Sequence, residues 1–249
     1  MKNFYLFIIF SIFHQISFSA DFIRYNLNTI HMIGPIIAGD IDKLKSIYTK
    51  KTTLLLVKSG GGDTEAGMLI GRFVRNKNLD IEIDKICASS CANYIFPAAR
   101  KKTIPNGSIL ALHGTAYTTS LSDNAKMRQL LLDAGIPEIG IEAEINDLKK
   151  VFQHQATLEV SFAKDMRIKI SFYKDFKKIA ENSENIYKKF SNKDASLFWW
   201  PSAERLRKCY GIYDVDEQKR PSSMVLKGYI YAPEFSALII TDKNLPACS

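Results

Sequence analysis

Histidine, cysteine and tryptophan are scarce in this chain, with four, four and two among 249 residues. Cys87 and Cys91 have no further Cys or His beside them at metal-ligand spacing, so they do not read as a zinc site. No metal or organic cofactor is expected. Beyond the first nineteen residues no run is long and apolar enough to cross a bilayer. Nucleic-acid motifs are missing, and no aromatic platform is interleaved with the basic residues. The net charge of +8 falls to +7 if Lys2 is removed, and much of it lies between Lys149 and Lys189. There Lys and Arg alternate with Asp and Glu at helical spacing, which is the pattern of a solvated helix face. Such a charge supports weak attraction to anionic envelope surfaces and no nucleic-acid partner.

What is present begins with an export pattern. Lys2, the apolar run Phe4 to Phe13 and the small-residue end Ser17-Phe18-Ser19-Ala20 read as a signal peptide over residues 1–19. An uncleaved anchor is the alternative. The chain that remains is expected to be periplasmic or secreted, without stable membrane insertion. Its four cysteines are an even number, as disulfides in an exported chain require. Four cysteines allow three pairings; in one of them Cys209 with Cys248 would tie the tail to the body and Cys87 with Cys91 would brace the turn between them through a small loop.

With 46% apolar residues there is material for a sizeable core. A strand over Thr29 to Ile37 leads to Gly39-Asp40 and a helix from Ile41 to Tyr48, with Asp40 as its N-cap. Strand Leu54 to Val57, helix Glu65 to Arg75 and the alternating strand Leu79 to Ile86 follow. The helix after residue 90 is expected to end at Arg100-Lys101-Lys102, where cations suit the dipole. Strands alternating with helices imply βαβ crossovers and a mainly parallel sheet. Asp123 to Asp133 and Ile141 to Phe190 read as mostly helical, broken by Gly135-Ile136-Pro137. Leu197-Phe198-Trp199-Trp200 reads as core or subunit interface, and Val225 to Ile240 as a terminal hairpin without an assigned role.

Three stretches carry chemistry. Ser59-Gly60-Gly61-Gly62-Asp63 follows a buried strand, and glycines there let backbone approach a ligand and leave N–H groups free for an anion. Cys87-Ala88-Ser89-Ser90-Cys91 is a run of small residues between apolar segments, suited to a tight strand-to-helix turn that exposes a hydroxyl beside unpaired helical N–H groups. Ile109 to Leu112 delivers His113 to a strand end, 24 residues after Ser89. His31 and His154 have no matching context.

This order resembles the ClpP-like serine peptidases of the ClpP/crotonase fold, above all those with an export signal. Ser59-Gly60-Gly61-Gly62 is similar to the family's oxyanion loop, Cys87-Ala88-Ser89 to its serine turn and Pro105-Asn106…His113 to its histidine strand. Pro201-Ser202-Ala203-Glu204 through Tyr210-Gly211-Ile212 resembles its closing segment. The resemblance spans roughly residues 30 to 215 and implies a ClpP/crotonase-like domain over 20–215, a helical insertion at about 120–190 and an extension over 216–249. It implies Ser89 as nucleophile, His113 as base and the N–H groups of Gly62 and Ser90 as the oxyanion hole, with Ser90 the alternative nucleophile. The family's acid falls on Phe198, so Asp194 is expected as third member; without it, a Ser-His dyad or a backbone acceptor would serve. Gly60 in place of Pro, and Cys91 in place of a small residue, depart from the pattern. Substrates would be peptides or already unfolded segments, without an ATPase partner. Insertions at this position can mediate subunit contacts in the family, leaving a homo-oligomer open. A non-catalytic envelope binding protein on the same fold and a crotonase-type acyl-CoA enzyme are the competing readings.

Overall fold

The computed structural model describes residues 19–190, 196–220, 224–229, 232–242 and 247–248. All but Ser19 of the expected signal peptide lies outside them, and so does Asp194. Seven strands form one sheet: β1 (Asp21–Arg24), β2 (Thr29–Ile33), β3 (Leu54–Ser59), β4 (Asp80–Ala88), β5 (Lys102–Ile104), β6 (Ile109–Ala111) and β8 (Val215–Glu217). Their order is β1-β2-β3-β4-β5-β8, with β6 also against β4. Only the β1–β2 pair is antiparallel. The fold is therefore mixed α/β with a mainly parallel sheet.

Alternation along β2, β3 and β4 sets one face of the sheet against the core. Ile30, Met32, Leu55, Val57, Ile81 and Ile83 are each at most 1% exposed, whereas His31, Leu56 and Glu82 on the other face are only half-buried. Helices α1 (Asp40–Ile47) and α2 (Thr64–Asn76) connect these strands. Gly39, not Asp40, caps α1. Asp40 is its first residue and turns back to accept the Ile37 N–H at 2.9 Å while pairing with Lys43, which removes it from the capping position. The strand expected over Thr29 to Ile37 is β2, which stops at Ile33, and Ile36 instead bridges to Gly62.

After β4 come a π-helical turn (Cys91–Ile95) and a short helix α3 (Phe96–Ala98). The helix ends earlier than expected because Lys102 belongs to β5. Its buried ammonium reaches back to the carbonyls of Ala99 (2.7 Å) and Tyr213 (2.9 Å), and burial lowers its pKa to about 8. Beyond β6 the expected helical region is α4 (Ala116–Ser120), α5 (Asn124–Asp133), α6 (Ile141–Met166), α7 (Ser171–Glu181) and α8 (Ser183–Phe190).

A second, three-stranded sheet joins β7 (Ser196–Trp199) to β10 (Ala232–Ile240) in parallel, with β9 (Met224–Tyr229) antiparallel to β10. Leu112 and Trp199 exchange backbone hydrogen bonds of 2.9 and 2.8 Å, which lock this sheet to the end of β6. The aromatic cluster of β7 is core: Leu197, Phe198, Trp199 and Trp200 are all buried. Helix α9 (Ala203–Tyr210) follows, and Cys209 is bonded to Cys248 near the end of the chain. Among the described residues no helix is long and apolar enough to cross a membrane.

Candidate active site

Strand β4 changes partners halfway. Its first residues pair with β5 and its last three, Ile86 to Ala88, pair with Ile109 to Ala111 of β6. Between the two stretches β4 spends four residues where β3 spends two, and Lys85 takes a φ of +75°. Buried Ser108 fills this bulge, donating to the Ile83 carbonyl at 2.8 Å. The bulge carries the strand end toward β6.

The strand then breaks at Ser89, whose φ of +53° is the left-handed conformation that a non-glycine residue adopts at some cost. The Ser89 N–H donates to Ala111 at 3.0 Å, and the Ser89 carbonyl accepts from Asn93 at 2.7 Å, starting the helical turn. Cys87 and Cys91, both fully buried, form a disulfide that brackets this serine, with Cα atoms 5.3 Å apart. Neither thiol is free to act as a nucleophile or metal ligand.

His113 lies two residues past β6, after Leu112. Its Nε2 lies 2.7 Å from Ser89 Oγ and its Nδ1 lies 2.6 Å from the carbonyl oxygen of Gly114. A carbonyl only accepts, so the proton sits on Nδ1 and Nε2 is left to accept from the serine hydroxyl. Burial lowers the His113 pKa to about 4, outweighing the opposing effect of the Gly114 carbonyl. The imidazole is therefore neutral over the ordinary pH range.

The glycine loop lies against the same turn. A Cβ on Gly61 would come within 2.4 Å of Ser89 Cβ and 2.7 Å of the Ala88 carbonyl, so only glycine allows this approach. Ser59 Oγ donates to Gly34 and accepts the Gly61 N–H. The Gly61 carbonyl accepts from Ile36, and the Ile36 carbonyl from Asp63, leaving the Gly62 N–H outside this bridge. In a trans peptide the N–H points opposite to the preceding carbonyl, so the Gly62 N–H faces away from Ile36. The side chain of Ser90 is occupied elsewhere: buried, it donates to the Gly62 carbonyl at 2.7 Å. Of the two adjacent serines, Ser89 faces the imidazole and Ser90 ties the turn to the loop.

No carboxylate reaches His113 among its described hydrogen-bond partners. Phe198 stands beside it instead in a T-shaped ring pair, with centroids 5.5 Å apart and planes at 81°. The acceptor on Nδ1 is the backbone carbonyl of Gly114. Two residues drawn into this region carried no expectation: Gly114, and Glu159 on α6, which is fully buried. Glu159 was detectable in principle, as the one charged residue in the apolar stripe Ala156, Phe162, Ala163 and Met166 at helical spacing. Among the described residues no cluster of three or more His, Cys, Asp or Glu is arranged to hold a metal ion.

No protein-family model matches this chain, and no curated protein matches it. Among solved structures it is similar to a probable enoyl-CoA hydratase/isomerase from Mycobacterium abscessus, with 8% identity and a TM-score of 0.29 over 53% of this chain and 61% of that one. The chain thus spans less than two thirds of that protein's length. It is also similar to an enoyl-CoA hydratase from Mycobacterium avium subsp. paratuberculosis K-10, with 10% identity and a TM-score of 0.28 over 70% of this chain and 88% of that one.

Proposed function

We propose that the chain is an exported ClpP-like serine hydrolase that cleaves peptides or unfolded segments. The observation that carries this reading is the bond between His113 Nε2 and Ser89 Oγ, with the other ring nitrogen held by Gly114. Ser89 attacks the carbonyl carbon as its proton passes to Nε2, and the N–H groups of Gly62 and Ser90 receive the negative charge on the carbonyl oxygen. His113 then protonates the leaving amine, and water releases the acyl group by the same steps in reverse order. The Gly114 carbonyl takes the orienting part that a carboxylate takes in a Ser-His-Asp triad. Asp194 keeps that part only as an expectation, since it lies outside the described residues. The two disulfides favour an oxidising compartment, in keeping with export.

Phe198 favours a second reading, a binding protein that retains the fold without the reaction. Among the described residues an apolar ring, and no carboxylate, stands beside the imidazole to meet a developing imidazolium. Incubation with a library of fluorogenic peptides separates the two. Turnover abolished by Ser89→Ala supports the hydrolase; retention of peptides without cleavage by the folded protein supports the binder.

A further inference from the structure

The segment that holds His113 is suspended between two anchors. At one end Leu112 exchanges hydrogen bonds with Trp199. At the other, helix α4 begins at Ala116, and its first two N–H groups donate to one side chain, that of Glu159: Ala116 to Oε1 at 3.2 Å and Tyr117 to Oε2 at 2.7 Å. The three residues between the anchors are His113, Gly114, whose carbonyl orients the imidazole, and Thr115. Glu159 also accepts from the hydroxyl of Tyr94. Tyr94 lies in the π-helical turn that Ser89 opens, five residues after it, and its ring packs edge-on against Phe162, one turn along α6 from Glu159.

We infer that Glu159 is a positioning residue that aligns Ser89 with His113, one buried carboxylate binding the serine's helical turn and the histidine's loop to helix α6. It touches neither reacting group. A carboxylate without exposure is costly to bury, and three donors from two separate elements compensate it. Without it, Tyr94 and two amides lose their acceptor, and α4 is held only further along, where Thr118 donates to the Tyr173 carbonyl at 2.8 Å. The inference rests on Ser89 and His113 acting together. Their alignment, unlike turnover, is observable in the resting protein.

Two readouts test it on Glu159→Gln and Tyr94→Phe, each checked for a wild-type circular dichroism spectrum. One is the second-order rate of Ser89 labelling by a fluorophosphonate; the other is the NMR signal of the His113 Nδ1–H, which reports its bond to Gly114. Glutamine offers one acceptor oxygen where three donors converge. Its labelling rate should fall by about ten- to a hundredfold, as expected for a displacement of about 1 Å, and the Nδ1–H signal should shift. Tyr94→Phe removes a single bond and should move both readouts in the same direction by less; it carries the test alone if Glu159→Gln does not fold. Folded variants with the wild-type labelling rate and the wild-type His113 signal overturn the inference. If the wild-type protein itself is not labelled, the hydrolase reading fails, and the Nδ1–H signal alone decides the positioning role.

Discussion

The rings of Phe198 and His113 form a T-shaped pair, 5.5 Å between centroids, at the position where the family resemblance calls for a carboxylate. Burial lowers the pKa of this base and leaves it neutral, and among the described residues no carboxylate stands at its Nδ1. The Phe198→Ala variant should rehydrate the ring and raise the His113 pKa from about 4 toward the ordinary histidine value. It should also cost about 3–5 kcal/mol of stability, the usual loss for a buried phenylalanine. NMR titration of the His113 ring and denaturant unfolding check the two effects.

The same burial sets the response to pH. His113 accepts a proton near pH 4 in the folded chain and near pH 6.5 once unfolded, so the unfolded state binds more protons between these values. Its contribution to stability is therefore complete above about pH 6.5 and declines as the pH falls toward 4. Labelling or hydrolysis at Ser89 should persist well below pH 6 and lose its base near pH 4. Rates measured from pH 3.5 to 8 check this; an acid limb centred near pH 6.5 contradicts the neutral, half-buried imidazole.

The two disulfides should separate stability from activity. Cys209–Cys248 closes a loop of 39 residues, and removing it should cost about 4 kcal/mol, against about 2 kcal/mol for the four-residue Cys87–Cys91 loop. Yet Cys87–Cys91 brackets Ser89, and Cys209–Cys248 does not. The Cys87→Ala/Cys91→Ala variant should slow labelling of Ser89 by about tenfold or more, whereas Cys209→Ala/Cys248→Ala should leave the rate within about twofold at a temperature where both are folded. Thermal unfolding together with labelling rates makes the comparison.

Gly61 faces the serine turn with no room for a side chain. In Gly61→Ala the added carbon meets Ser89 Cβ, the Ala88 carbonyl and the Ser90 nitrogen, all backbone or near it, so the turn or the loop must move. Labelling should fall by about a hundredfold, with a stability loss from the positive φ and the clash. Gly107→Ala, also at positive φ but in open space, is the control for conformational strain alone.

Much of this site was legible because small residues after buried strands have few other uses. The loop at Gly60–Gly62, the turn at Ser89 and the strand end at His113 all lie where the alternation of β3, β4 and β6 ends. What could not be read depends on pairings distant in sequence. Phe198 meets His113 because β7 pairs with β10 and with Leu112, and nothing local to residues 196–199 encodes either partner. The Gly114 carbonyl has no side-chain signature at all. Asp40 departs from the capping pattern for the converse reason: an aspartate after glycine satisfies that pattern, but its side chain accepts the Ile37 N–H instead. Residues 232–240, to which no role was assigned, form the strand that supports Phe198.

The most direct test of the central claim is fluorophosphonate labelling of the purified protein with its disulfides intact, with mass mapping of the adduct, beside Ser89→Ala, Ser90→Ala and His113→Ala. The bond from Ser89 to His113 predicts an adduct on Ser89 that vanishes in Ser89→Ala, falls to background in His113→Ala and persists at a reduced rate in Ser90→Ala, which loses only the tie to Gly62. A folded protein that takes no label, or one labelled at Ser90, contradicts the account.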